Sequence, residues 1–212
     1  MEEQMDQIAI GGSSDVLRRI VRLQGLTILW MSVEVIVALG AAWAARSPAL
    51  LGFGGDSAVE LLSATIVLWR FRSGLDSAKA ERVAARVAGG LLLAVGGFVT
   101  AFSGISLLGH REPRPSVAGI AILILAAMGM PWLAGRKRQL ASEVGSAALR
   151  ADSTESALCG YLSFIALGGL LANGVFHVSW ADPIAALGLV PFIGREGWQE
   201  IRESKHCCNS GA

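Results

Sequence analysis

Six long apolar segments dominate this sequence of 212 residues. A helix needs about 20 mainly apolar residues to cross the roughly 30 Å hydrocarbon layer of a bilayer. Segments of this kind cover residues 23–45, 49–71, 87–109, 116–135, 144–173 and 178–198. Helices are the expected spanning element, because backbone polar groups in lipid must be satisfied within the segment and no alternating barrel pattern is present. The sequence therefore predicts an all-α, polytopic membrane protein with six transmembrane helices.

The composition agrees with a membrane location. Charged residues make up 17% of the chain, whereas a soluble domain carries about 25%. The net charge of +1 gives no indication of a nucleic-acid partner. The first 15 residues are polar and acidic, without the pattern of a signal peptide, so insertion is expected to rely on the first span. The connections between the segments are too short for a separate soluble domain.

The loop charges predict an orientation. Of the 18 Lys and Arg residues, 15 lie in or beside the first, third, fifth and seventh non-membrane segments. Positive charge is retained in the cytoplasm, so both termini are expected there. Residues 1–22 are predicted to form a disordered cytoplasmic tail, 23–198 the transmembrane domain and 199–212 a short cytoplasmic tail. Inner loops are marked by two basic groups: Arg70, Arg72, Lys79, Arg82 and Arg86, and then Arg136, Lys137 and Arg138.

Two carboxylates interrupt the second apolar segment. Asp56 and Glu60 stand four residues apart, which places both on one face of a helix. A charge at mid-membrane costs about 2.5–3.5 kcal/mol even on the most lenient scale, so each acid requires a reason. Two like charges at this distance repel one another unless a cation or a proton lies between them. The pair therefore predicts a cation site, the alternative being polar side chains satisfied by neighbouring helices.

The fifth segment repeats the pattern. Asp152, Glu155 and Cys159 follow one another at intervals of three and four residues on one face. Carboxylate oxygens and a thiolate sulfur are donors to transition metals, and four donors from two helices suit the tetrahedral geometry of Zn²⁺. In an antiparallel pair, Asp56 would lie level with Cys159, with Glu60 and Glu155 one turn deeper. Cys159 is equally compatible with a small buried apolar residue, and Asp152 with a ligand, an entry charge or a partner of Arg150.

Other candidates carry less chemistry. Glu34 lies in the middle of the first segment. Its position is compatible with three interpretations: a support for a ligand, a proton relay, or an acid that is satisfied by neighbouring helices. Asp182 precedes Pro183, which is typical of a helix cap. His177 is expected to be a solvated loop residue. The terminal His206, Cys207 and Cys208 form a possible cytoplasmic metal-binding tail.

Several stretches resemble the cation diffusion facilitators, and more closely their short bacterial relatives similar to the TMEM-type vesicular zinc transporters. The resemblance is carried by the strings LLGFGGDSAVELLSATIVLWRF, LRADSTESALCGYLS and WADPIAALGLVPFIGREGW, with TILWMSVEVIVAL in support. They cover the second, fifth and sixth segments and part of the first. The resemblance implies six helices, a metal site with two residues from the second helix and two from the fifth, exchange of Zn²⁺ or a similar ion for protons, and a homodimer.

The resemblance assigns the metal ligands as Asp56, Glu60, Glu155 and Cys159. Glu60 replaces the more usual Asp, and Glu155 and Cys159 stand where the family has His and Asp. A thiolate there favours softer ions such as Zn²⁺, Cd²⁺ or Co²⁺ over Mn²⁺. The chain is also expected to be a short form that lacks the cytoplasmic domain of the larger members, so that any dimer contact comes from the membrane helices.

The sequence thus predicts a divalent metal transporter that exports its cargo from the cytoplasm in exchange for protons. The cargo would be Zn²⁺ or a related ion (Cd²⁺, Co²⁺, Fe²⁺ or Mn²⁺), with no resident cofactor, and the membrane a bacterial inner membrane. The alternative is a membrane-embedded accessory or scaffold protein with no transport activity. An enzyme is disfavoured, because no histidine base lies near Cys159.

Overall fold

In the computed structural model, which describes residues 2–73, 78–109 and 113–206, the chain forms six α-helices and no strand. The helices are α1 (Glu2–Ala45), α2 (Pro48–Ser73), α3 (Ala78–Leu107), α4 (Val117–Val144), α5 (Ala147–Phe176) and α6 (Ala181–His206). The all-α architecture and the number of helices predicted from the sequence are confirmed.

Five of the described helices contain a stretch that is long and apolar enough to cross a membrane. These stretches are Asp15–Ala45, Pro48–Trp69, Gly89–Leu107, Val117–Val144 and Leu149–Phe176. Helix α6 is not among them, because Asp182, Arg195 and Glu196 fall within the stretch predicted for the sixth span. Its 26 residues nevertheless reach about 39 Å, and α6 packs against α2, α3 and α5. Helix α6 is therefore part of the packed bundle, whereas its hydropathy alone does not identify it as a membrane span.

Helix α1 begins at Glu2, within the residues predicted to form a cytoplasmic tail. Ile20 lies within the predicted tail and is buried in a small apolar cluster with Leu140 of α4 and Leu149 of α5. An apolar residue that packs against two other helices holds this end of α1 in the bundle. The last turns before residue 23 therefore belong to the core.

Residues 136–138, predicted to mark an inner loop, are helical, because α4 continues through them to Val144. A helix stops where its backbone is interrupted, and basic side chains alone do not interrupt it. The interruption comes at Gly145, whose φ of 65° is left-handed, and at Ser146, whose hydroxyl accepts from Leu149 N and caps α5. As a result, Lys137 lies inside a helix and its side chain is buried.

Helix α2 occupies the middle of the bundle and packs against α1, α3, α5 and α6. Its contacts with α5 run in opposite directions along the two helices, since Ser57 meets Cys159 and Glu60 meets Ser156. The two helices are therefore antiparallel. Gly55 allows α2 to approach α3, because a Cβ atom there would stand 2.6 Å from Val95 Cγ1. The acids of α2 are consequently enclosed on several sides.

Asp182 has a different role from the one its sequence predicts. It was expected to cap its own helix, but its buried carboxylate accepts from the Ser47 hydroxyl at 2.8 Å and from the Ala49 backbone N–H. The Ser47 hydroxyl in turn accepts from Leu50 N at 3.1 Å. The first turn of α2 is thus capped by its own Ser47 and by a carboxylate from α6, which suits the partial positive charge of a helix N-terminus.

We expect Ser47→Ala to lower the free energy of unfolding by about 2 kcal/mol, because it removes the cap and takes a partner from a buried carboxylate. The measurement is denaturation by sodium dodecyl sulfate in mixed micelles. Ser116→Ala is the matched control, since Ser116 caps α4 through Gly119 N and should cost about 1 kcal/mol. Equal losses in the two variants would show that the link to Asp182 contributes nothing.

Candidate functional site

Asp56 and Glu60 are both buried in α2, with 5% and 3% of their surfaces exposed. The glycines before them bring the helix close to its neighbours: a Cβ atom at Gly54 would stand 2.8 Å from Leu39 Cδ2 of α1. The sequence therefore places two acids at a point where α2 is tightly surrounded. Around them the described side chains form two connected clusters, one on each side of Asp56 and Glu60.

The first group, the Glu34 cluster, consists of Glu34, Ser57 and Cys159, all fully buried. The Ser57 hydroxyl donates to Glu34 Oε1 at 2.6 Å, and the Cys159 thiol donates to the same oxygen at 3.5 Å. The Cys159 sulfur also lies 3.9 Å from the Ser57 hydroxyl. The carboxyl groups of Asp56 and Glu60 interact with this thiol as well. Cys159 therefore has acidic neighbours from both α1 and α2.

The second group, the Lys137 cluster, is built around a buried ammonium. Lys137 Nζ lies 2.9 Å from Asp152 Oδ1, 2.7 Å from the Ser156 hydroxyl and 3.6 Å from Glu60 Oε1. The Ser156 hydroxyl donates to Glu60 Oε1. Gln24 Nε2 donates to the second oxygen of Asp152 at 2.6 Å. Glu60 is thus held from α4 and α5 at once, and Asp152 pairs with Lys137 rather than with Arg150.

Glu155, the remaining predicted ligand, is half-buried on α5 and interacts electrostatically with Asp56. Asp56, Glu60 and Cys159 are thus buried where α2 meets α5, and Glu155 is half-buried on α5. They do not form a closed ligand shell in this conformation: within the described part of the chain, no three side chains from His, Cys, Asp and Glu stand in a geometry that holds a metal ion.

The charges of the two clusters do not balance. Glu34, Asp56, Glu60 and Asp152 are buried acids, and Lys137 is the one buried cation among the side chains described there. Among the described residues, Glu34 Oε2 and Glu60 Oε2 have no hydrogen-bond partner. Carboxylates in a low-dielectric interior need a cation, a proton or hydrogen bonds to be tolerated. The arrangement can therefore accept positive charge.

Sequence reasoning did not identify the residues that link these acids, namely Gln24, Ser57, Lys137 and Ser156. Lys137 was counted among the loop charges. A signal was nevertheless present, because Lys137 shares a helical face with apolar residues three and four positions away on either side, and its basic neighbours Arg136 and Arg138 are exposed. The apolar residues of that face are Leu133, Ala134, Leu140 and Ala141.

The weaker candidates are also placed. His177 is exposed and ends α5 with a left-handed φ of 54°, in agreement with its prediction as a solvated residue. Of the predicted metal-binding tail, Cys207 and Cys208 lie outside the described residues, and the side chain of His206 is not described.

Six packed helices around a group of buried acids define a polytopic helical membrane protein. Residues 25–206 match the family model described as the cation efflux transmembrane domain. The chain therefore belongs to the cation efflux family, as the resemblance predicted.

A more specific relative is the manganese efflux system protein MneS of Bacillus subtilis (strain 168). It is 26% identical to this chain over 139 residues, a match that covers 63% of this chain and 46% of the relative. The chain thus aligns with less than half of the length of that protein.

We expect Asp152→Ala to lower the free energy of unfolding by about 3 kcal/mol, because it removes the closest acidic partner of a buried ammonium. The exposed Thr154→Ala on the same helix is the control, with an expected change within about 0.5 kcal/mol. The measurement is again denaturation in mixed micelles. If the two variants were equally stable, the contact between Lys137 and Asp152 would make no net contribution.

Proposed function

We propose that this chain carries a divalent transition-metal ion across the membrane through the buried contact between α2 and α5. The observation that carries the proposal is the pair of Asp56 and Glu60, which are buried one turn apart. The pair lies within an acidic cluster in which the buried carboxylates outnumber the single described lysine. Buried ionisable residues inside a membrane bundle are typical of ion pathways. Membership of the cation efflux family supports the same conclusion.

The proposed ligands are Asp56, Glu60, Glu155 and Cys159. Asp56 is central, because it is buried one turn from Glu60 and beside Ser57, which lies 3.9 Å from the Cys159 sulfur. Closing the shell requires Glu60 to leave Ser156 and Glu155 to turn inward. Glu34, already hydrogen-bonded to the Cys159 thiol, takes the role of orienting that sulfur. Asp152 acts indirectly, by holding Lys137.

The transport cycle is alternating access, in which small movements of packed helices expose one buried site first to one side and then to the other. The membrane is a bacterial inner membrane, with both termini of the chain on its cytoplasmic side. The metal enters the site from the cytoplasm and leaves it to the outside. Protons are the exchanged ion, because metal ligands must be deprotonated to bind and protons entering from outside compete for them.

The cargo follows from the donors. A thiolate together with carboxylates favours Zn²⁺, Cd²⁺ or Co²⁺, and we propose Zn²⁺ or a similar ion. The relative that shares 26% identity is a manganese efflux system protein, which makes Mn²⁺ the principal alternative. The difference between these cargoes depends on Cys159.

A homodimer formed by membrane helices completes the proposal. On α3, Gly90, Gly97 and Gly104 lie at positions where an added Cβ atom would meet nothing within 4 Å. A face of small residues allows the backbone of another helix to approach closely. This face supports contact with a second copy.

We expect the double variant Asp56→Asn with Glu60→Gln to lose metal flux by at least about a hundredfold, since two of four ligand charges are removed. The measurement is uptake of Zn²⁺, Cd²⁺ and Mn²⁺ into proteoliposomes, with and without a pH gradient. Glu143→Gln is the control, because Glu143 is an acid of α4 that is paired with Arg19 on the surface. Undiminished flux in the double variant would exclude this site. A purified protein that binds none of the three ions in calorimetry would instead favour the scaffold alternative.

We expect Cys159→Asp to shift the ratio of Mn²⁺ to Cd²⁺ affinity by about tenfold towards Mn²⁺, because an oxygen donor replaces a soft sulfur donor. Competition calorimetry on the purified protein measures the ratio. Cys159→Ala provides the comparison, since it removes the donor without adding one and should weaken both ions. A ratio that is unchanged by Cys159→Asp would show that Cys159 is not a ligand.

A further inference from the structure

Lys137 is a charged residue that the proposed ligand set does not use. Its side chain is fully buried, although a solvated lysine at a cytoplasmic helix end would be exposed. Removing an ammonium from water is costly, and its partners offset that cost only when the geometry is good. Here the ammonium has three polar partners from two helices, Glu60, Asp152 and Ser156. A buried lysine with three polar partners beside a candidate metal ligand requires an explanation.

The contacts of Lys137 differ in distance. Asp152 lies 2.9 Å from the ammonium and Glu60 lies 3.6 Å from it. Asp152 is further restrained by Gln24 on its other oxygen. Glu60 has one oxygen directed at Ser156 and Lys137, and its second oxygen has no hydrogen-bond partner among the described residues. Asp152 is therefore the anchor of the ammonium, and Glu60 is the partner that can leave.

We propose that Lys137 is an internal counter-cation that holds Glu60 when the site is empty and competes with the transported metal ion for that carboxylate. This inference rests on the proposed function, because it takes Glu60 to be a metal ligand. Lys137 acts through Glu60 and is thus a positioning residue. The ammonium remains attached to the protein by Asp152 while Glu60 moves between two cations, one fixed and one transported.

The competition has a direct consequence for affinity. The metal must draw Glu60 away from a fixed positive charge, so part of its binding free energy is lost. The same charge favours release, because the ammonium recaptures Glu60 as the metal leaves. Lys137 therefore weakens binding and speeds turnover, which separates its role from that of a purely structural ion pair.

The test uses the purified full-length chain and compares wild type with Lys137→Met and with the double variant Lys137→Met and Asp152→Asn. The double variant removes one positive and one negative charge, so the net charge of the cluster is unchanged and Asp152 is not left unpaired. Arg138→Met is the matched control, because Arg138 is the exposed neighbour on α4. Calorimetry with Zn²⁺, Cd²⁺ and Mn²⁺ measures affinity, and proteoliposome uptake measures KM and the turnover rate.

We expect the double variant to bind the metal at least about tenfold more tightly than wild type and to turn over more slowly, with Arg138→Met unchanged. If Lys137 served only to neutralise Asp152, the double variant would bind with the affinity of wild type. An unchanged or weaker affinity in a folded double variant overturns this inference and leaves the proposed function standing. If wild type binds none of the three ions, the proposed function fails and this inference fails with it.

Discussion

The carboxylates of Glu34, Asp56, Glu60 and Asp152 lie inside a helical bundle with one ammonium, that of Lys137, among the side chains described around them. Burying acids in this way is unfavourable unless each finds a partner. The partners come from different helices: α1 contributes Glu34 and Gln24, α2 the acid pair, α4 the lysine, and α5 the serine, cysteine and aspartate that join them. The polar interior therefore links four helices through specific side-chain contacts. The apolar outer surfaces of the helices contact lipid equally well in different packings, so they do not select one of them.

Because polar contacts hold these helices together, a change of charge in the interior can change how the helices pack. Glu60 bonds to Ser156 on α5 and approaches Lys137 on α4, whereas the Cys159 thiol of α5 bonds to Glu34 on α1. A cation that entered between α2 and α5 would change partners on both sides of α2. Packed helices have discrete arrangements rather than a continuous range, so such an exchange of partners can be transmitted as a movement of helices. The capping of α2 by Asp182 extends this connection to α6.

The sequence predicted the number and order of the helices, although not the start of α1 or the end of α4. It also singled out the acids of α2, because an acid in a long apolar stretch is conspicuous at any register. The antiparallel alignment of Asp56 with Cys159 followed from helix order and spacing, and the contacts at Ser57 and Ser156 agree with it. Lys137 was not identified, because a lysine beside Arg136 and Arg138 has the pattern of a loop charge and the apolar residues on its helical face were a weaker signal. Its burial depends on the continuation of α4 to Val144 and on acids from two other helices, and neither is a local property of the sequence. Ser57 and Ser156 were similarly inconspicuous among small residues.

The two residues that depart from the usual family pattern, Glu60 and Cys159, both contact the buried polar groups of the bundle. Glu60 is one methylene longer than the more usual aspartate, and its carboxylate contacts Ser156 and Lys137. Cys159 stands where the resemblance implies a carboxylate, and its thiol donates a hydrogen bond to Glu34. Glu60 thus places an acid beside Lys137, whereas Cys159 places a thiol rather than an acid beside Glu34. Neither change adds a negative charge to an interior that already contains several buried carboxylates.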